Sequence, residues 1–287
     1  MTLLTTNLGP IERTRPCPQL HLQLLCHLSR SFHPFDTTPT FRRGPSRNAD
    51  TDSYPAPAQS PYYLLPYHRD RLISAAHHFK WASALDFLQQ DLESFEEFLD
   101  ASIPDRDKPW RLRIVVDCNG TASVDVNPTA AIDPLNLLIP SPYTDTQSTI
   151  WQVYVDSQSI TPSGFTTHKT TARDEYTAAR MRAGISSPME TSEVLVVNPD
   201  GEIMEGSIST PFFRRRNILK NADKPGPVWM TPPLTSGGNA GTTRRYALTH
   251  GFCVEEVITR ADLVDGEECW LSNGVRGFMH GVVVLSQ

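Results

Sequence analysis

The chain has 287 residues, of which 39% are hydrophobic, 20% charged and 9% aromatic. That length fits one large or two medium domains, and the composition excludes a disordered polar chain. A net charge of −6 excludes a strongly basic nucleic-acid footprint, and no apolar run reaches the roughly 18 residues that a membrane helix needs.

Residues 1–60 read as a poorly defined segment. The apolar stretch Leu20 to Leu28 is interrupted by His21, Gln23 and His27, and no small-residue cleavage site follows, so no secretory leader is expected. From Pro34 to Pro61 the chain is rich in Pro, Ser, Thr and Asp, a composition that favours loop. The five cysteines (Cys17, Cys26, Cys118, Cys253 and Cys269) form no CxxC pair. No metal site is expected from them, and their scarcity fits a reducing, intracellular compartment.

Order begins at Tyr62. YYLLPYHRDRLISAAHHF starts as a short apolar strand and continues as a helix, with Leu72, Ala75, Ala76 and Phe79 at helical spacing. Leu88, Leu92, Phe95 and Leu99 predict one amphipathic helix that stops before Pro104. WRLRIVVDCNGTASVDV is a hairpin turned at Asn119-Gly120, a pair that tolerates the left-handed backbone of a tight turn. Ile139 to Ser148 is the expected linker. It divides a small α+β domain (61–145) from a larger α/β domain (146–287).

In the second half, Trp151 to Val155 is a predicted strand and Asp174 to Arg182 a helix stopped at Gly184. EVLVVNPDGEIMEG is a hairpin with its turn at residues 198–201. Strands follow at Phe212 to Arg215 and Val228 to Thr231, then a helix opened by Gly241-Thr242-Thr243 and running through Leu248. A strand at Val254 to Ile258, a helical turn near Ala261 to Leu263, a strand at Cys269 to Ser272 and the apolar tail GVVVL complete the pattern. Helices and strands in both halves predict two mixed lobes.

Lys169, in FTTHKTTARDEY, lies between a strand and a helix among small hydroxylated residues. Burial there would lower its pKa and free a neutral, nucleophilic amine; alone, it reads more readily as a solvated loop lysine, since lysines are rarely fully buried. Glu205, in IMEGSIST, ends a hairpin strand. It is either a surface carboxylate or one able to hold a proton on a heterocyclic nitrogen. GGNAGTTRR places Thr242 and Thr243 at a helix start, where free N–H groups and the helix dipole suit a phosphate, or where a threonine merely caps the helix. Arg71, in HRDRL, opens a helix and has the fork geometry for a phosphate, or for an ion pair with an acid nearby. Ser272 and Asn273, in WLSNGVRG, line a polar pocket or shape a loop.

Each signal alone is weak. Their order, HxxRL, then the lysine, then EG with small residues, then TPPL and GTTR, then SNxVRG, resembles the fold-type IV pyridoxal-phosphate enzymes. That family includes branched-chain and D-amino-acid aminotransferases and aminodeoxychorismate lyase. The resemblance runs from Tyr62 to the C-terminus and is densest from Lys169 to Gly277. It implies a two-domain α/β (α+β) architecture like that of D-amino-acid aminotransferase, a cytoplasmic homodimer, pyridoxal 5′-phosphate as cofactor, and a small amino compound as substrate, with neither nucleic acid nor membrane as partner. By the same resemblance, Lys169 is the catalytic residue that forms the internal aldimine. Glu205 pairs with the pyridine nitrogen, and Arg71, Thr242 and Thr243 hold the phosphate.

The chain also departs from the family pattern. Many members carry a tyrosine five residues after the lysine, where this chain has Asp174, with Tyr176 two further on. Many have Asn before Leu-Phe where this chain has Thr210, Pro211 and Phe212, and some bind phosphate with a hydroxyl where this chain has Gly274. The expected activity is aminodeoxychorismate lyase-like. The alternatives are a class IV aminotransferase and a non-catalytic binding protein that retains the fold.

Overall fold

The computed structural model describes residues 19–26, 61–130, 132–140, 149–187, 189–216 and 227–285. Most of the proline-rich stretch after Pro34 and of the expected linker lies outside them.

Strand β1 (Leu20–Cys26) pairs antiparallel with β2 (Trp110–Val116), which pairs antiparallel with β3 (Ala122–Pro128). The β2–β3 turn is the expected one. Gly120 has φ 82°, and a Cβ there would lie 2.4 Å from the Ser83 carbonyl, so the turn and the close approach both require glycine. Three helices cover this sheet. Helix α1 (Leu65–His78) follows Leu64, whose φ of 54° breaks the chain direction, and Pro66 sits in its first turn. Residues 62–64 form no strand ahead of α1, and Arg71 lies in the middle of the helix rather than at its start. The single helix expected over Leu88 to Leu99 is two, α2 (Ala82–Leu88) and α3 (Leu92–Asp100). Asp91 separates them because its carboxylate accepts from the Ser94 N–H at 2.8 Å, an N-cap that starts a new helix. The predicted stripe survives the break, since Leu88, Phe95 and Leu99 are all buried in the core of this layer.

Among the described residues the second sheet has eight strands: β4 (Trp151–Ser159), β5 (Ser192–Val197), β6 (Ile203–Gly206), β7 (Thr210–Arg216), β8 (Pro227–Thr231), β9 (Cys253–Glu255), β10 (Glu268–Asn273) and β11 (Gly277–Val283). Their order is β6-β5-β4-β11-β10-β7-β8-β9. The β4–β5, β4–β11 and β8–β9 pairs are parallel and the others antiparallel. β5 reads SEVLVV and is buried from Glu193 to Val197, the unbroken apolar run of a strand covered on both faces. Helix α5 (Asp174–Arg182) covers one face with Tyr176 and Ala179, next to Val194, Val196 and Met204. It ends at Gly184, at φ 72°. Helix α6 (Thr242–Thr249) packs on β9 and β10. Trp151, Leu195, Phe213, Leu271 and Met279 belong to a separate core cluster of the same sheet.

Among the described residues no helix is long and apolar enough to cross a membrane, and no group of His, Cys, Asp and Glu has the arrangement of a metal site.

Candidate active site

Lys169 follows α4 (Gly164–Thr167), a single turn fixed by a reciprocal Ser163–Thr166 capping box. Immediately after it the chain is tied to β1. Thr170 bridges Leu20, the Thr171 N–H donates to the Gln19 carbonyl at 2.8 Å, and the Gln19 N–H donates to Thr171 Oγ1 at 3.1 Å. Glu205 stands near the end of β6 and is 8% exposed. Arg71 comes from α1, and Thr242 and Thr243 form the first turn of α6. The structure brings all five sequence-predicted residues, with Ser272 and Asn273, to one cavity of about 190 Å³.

The floor of the cavity is suited to an anion. Gly241 is the N-cap of α6 and offers no side-chain cap, so the first N–H groups of the helix stay available. Buried Thr242 and Thr243 flank them. Thr243 Oγ1 accepts from the Ser272 hydroxyl at 2.7 Å. His68, wholly buried, lies 3.4 Å from Arg71 Nη2 through Nδ1 and 3.4 Å from Thr242 Oγ1 through Nε2. Burial, then the Arg71 and Lys169 charges, hold His68 well below its usual pKa, so the ring is neutral. A guanidinium only donates, so Nδ1 accepts and Nε2 carries the proton toward Thr242. His68 also explains Gly274. A Cβ there would fall 2.5 Å from the imidazole Cε1, so a serine or threonine at 274 does not fit beside this ring.

On the opposite side, the Tyr176 hydroxyl donates to Glu205 Oε1 at 2.5 Å. The Asn239 N–H donates to the same carboxylate. Burial pushes the Glu205 carboxyl up, against the pull of Arg173, Tyr176 and Lys169. Burial, and then the Arg173 and Arg71 charges, bring Lys169 from the usual lysine range down to about 7; Glu205 and Glu193 act the other way. Arg71 is lowered by burial to about 10 and stays charged at neutral pH.

The lowered lysine has a consequence for stability. Between about pH 7 and the usual lysine range near 10.4, the unfolded chain holds a proton at residue 169 that the folded cofactor-free chain has shed. This group therefore makes stability rise with pH across that window. Lys169→Met should stabilise the cofactor-free protein at pH 7 by about 1 kcal/mol or more, with the gain shrinking toward pH 10. Guanidinium unfolding at the two pH values measures it.

Sequence reasoning missed His68, Arg173, Tyr176 and Glu193. Wholly buried Glu193 accepts from the Ser207 and Ser209 hydroxyls, each at 2.5 Å, and from the Ile208 N–H at 3.1 Å, so it fixes the turn after Glu205. Arg180 reaches the same turn through Ser207 Oγ at 3.0 Å. The signal was available: Arg173, Tyr176 and Arg180 recur at i, i+3 and i+7, one face of α5.

The donor set has two ends. A helix N-terminus with two hydroxyls and an arginine matches a phosphate ester. A depressed amine facing a buried carboxylate matches an aldehyde on a protonated heteroaromatic ring. The residues present therefore fit pyridoxal phosphate. The profile of the amino-transferase class IV family matches residues 56–282. Aminodeoxychorismate lyase of Saccharomyces cerevisiae is 36% identical over 143 residues, spanning 46% of this chain but only 37% of that protein's length. A Schizosaccharomyces pombe protein provisionally described as an aminodeoxychorismate lyase is 25% identical over 226 residues, spanning 78% of this chain and 85% of that one. The fold is shared with a hypothetical aminotransferase from Mycobacterium tuberculosis solved with pyridoxal phosphate bound. The TM-score is 0.55 and the identity 18%, over 92% of this chain and 81% of that one. The chain belongs to the amino-transferase class IV family.

Proposed function

We propose that this protein is an aminodeoxychorismate lyase, which converts 4-amino-4-deoxychorismate to 4-aminobenzoate and pyruvate. The observation that carries the reading is the charge of the cavity. Besides Arg71 and Lys169 it is lined by Arg111, Arg173, Arg180 and Arg276, against Glu205 in the lining and buried Glu193, which lies 3.8 Å from Arg180. Such a wall suits a substrate with two carboxylates better than an apolar amino acid with one. Identity to the yeast lyase supports the same choice.

Lys169 is the residue that joins the cofactor aldehyde, and its amine then carries protons. It takes one from the ring carbon that bears the substrate nitrogen and returns one to the methylene of the departing enolpyruvyl group. Pyridoxal phosphate supplies the electron sink for the pair left on that carbon. Glu205 holds a proton on the pyridine nitrogen, while Tyr176 keeps the carboxylate turned toward the ring. Arg71, Thr242 and Thr243 hold the phosphate, with His68 steering Arg71 and Thr242. A homodimer in the cytoplasm belongs to the same proposal, on the family resemblance, and light scattering of purified protein tests the assembly.

The deciding experiment supplies cofactor-loaded protein with 4-amino-4-deoxychorismate and no keto acid. Equal amounts of pyruvate and 4-aminobenzoate are expected. Absence of pyruvate, together with accumulation of pyridoxamine phosphate from an amino donor, would make the protein an aminotransferase instead. Arg71→Ala is expected to weaken cofactor binding roughly 10- to 100-fold, the worth of a charge-assisted hydrogen bond. An unaltered dissociation constant would remove Arg71 from the phosphate site.

A further inference from the structure

Arg173 occupies a position where local physics disfavours it. It is the N-cap of α5, a place that favours Ser, Thr, Asp or Asn and where the helix dipole repels a cation. It makes no side-chain cap there. Its side chain turns into the cavity instead. Nη2 donates to the Ser207 carbonyl at 2.5 Å, and the guanidinium carbon lies 3.5 Å from the centroid of the Tyr176 ring. Nη1 is buried and has no hydrogen-bond partner among the described residues. An unsatisfied buried donor on a permanent cation is costly unless a ligand completes it. A residue that breaks a capping rule while aiming a spare donor into a cavity is one whose placement serves the site.

The neighbours locate that donor. Tyr176, under the guanidinium, is bonded to Glu205, at the ring-nitrogen end. Arg173 is also the foremost charge acting on both Lys169 and Glu205. Arg71 and the start of α6 take the phosphate side. A pyridoxal ring whose nitrogen meets Glu205 and whose aldehyde carbon meets Lys169 has one remaining polar substituent between those two points, the 3-oxygen.

We propose that Arg173 is a cofactor-binding residue whose guanidinium holds the ionised 3-oxygen of pyridoxal phosphate, on the ring edge between Lys169 and Glu205. This rests on the roles given above to those two residues. Asp174, next along the chain, is exposed and points no carboxylate into the cavity. The guanidinium does two things: it neutralises the 3-oxygen, and in the cofactor-free protein it disfavours the charged form of Lys169. The other charged groups acting on that amine are Arg71 from α1, Glu205 from β6 and Glu193 from β5.

Two readouts test the proposal without turnover. In cofactor-free protein, the rate at which trinitrobenzenesulfonate labels Lys169 is followed against pH by peptide mass spectrometry. Arg173→Gln should move its midpoint up by about one pH unit, and Arg173→Lys should leave it near wild type. In cofactor-loaded protein, the pH midpoint of the visible absorbance change should also rise by about one unit in Arg173→Gln and in Arg173→Ser. Arg173→Ser supplies a favoured N-cap, so its melting temperature should equal or exceed that of the wild type, which separates a site effect from misfolding. Variants that bind pyridoxal phosphate with an unchanged absorbance midpoint would overturn the proposal. So would a raised KM for the amino substrate with both titrations unchanged, because the guanidinium would then hold a substrate carboxylate. A wild-type protein with no pH-dependent visible band would instead strike at the Lys169 assignment, a distinguishable failure.

Discussion

Lys169→Ala is expected to lower turnover at least about 10⁴-fold and to remove the visible absorbance that covalently held pyridoxal phosphate gives. The proposed mechanism gives one amine two duties, attachment and proton transfer, and acid–base catalysis alone accounts for roughly 10²–10⁴. The surroundings are built for that amine. Thr170 and Thr171 pin the chain beside it to Leu20 and Gln19, and burial and two guanidinium groups lower its pKa to about 7, so that a large share of the amine is neutral at neutral pH. Among the described residues no other lysine lines the cavity to replace it. A variant that keeps wild-type turnover would refute the assignment. Retained non-covalent cofactor binding would not, since the phosphate end is untouched.

Glu205→Gln should bind pyridoxal phosphate nearly as well as wild type but lower kcat roughly 10²- to 10³-fold, the usual scale for one lost preorganised charge. The amide oxygen still accepts from Tyr176, so the side chain keeps its place. What changes is the atom facing the ring. A carboxylate favours a protonated pyridine nitrogen, and a neutral amide does not. Single-turnover kinetics separate this from a binding defect, and an unchanged kcat would remove Glu205 from the role.

Patterns local in sequence were legible. The β2–β3 hairpin, α5 with its stop at Gly184, and α6 behind Gly241 follow from turn chemistry and periodicity, and they stand where those signals put them. The split between α2 and α3 was missed because the apolar stripe runs through it; Asp91 acts on the backbone, not on the stripe. The strand expected before α1 is absent because Leu64 adopts a left-handed conformation that no apolar pattern encodes. In the site, residues with an obvious chemical signature (lysine at an element junction, paired threonines at a helix start) were readable. Partners brought together by the fold were not. His68 and Thr242 are 174 positions apart, and Glu193 meets Ser209 across a hairpin. Such contacts depend on sheet order, which periodicity does not reveal.

That sheet order has a consequence for how the chain comes together during synthesis. In the strand order, the trio β6-β5-β4, which carries Glu205, and the quartet β10-β7-β8-β9, against which α6 packs, meet through β11, parallel to β4 and antiparallel to β10, while beyond β9 Thr259 bridges Glu202 and the Ile203 N–H donates to the Ile258 carbonyl. β11 is also the strand translated last of the eleven. A nascent polypeptide therefore leaves the β4 and β10 edges that β11 covers unpaired until residues 277–283 leave the ribosome, and unpaired strand edges favour aggregation.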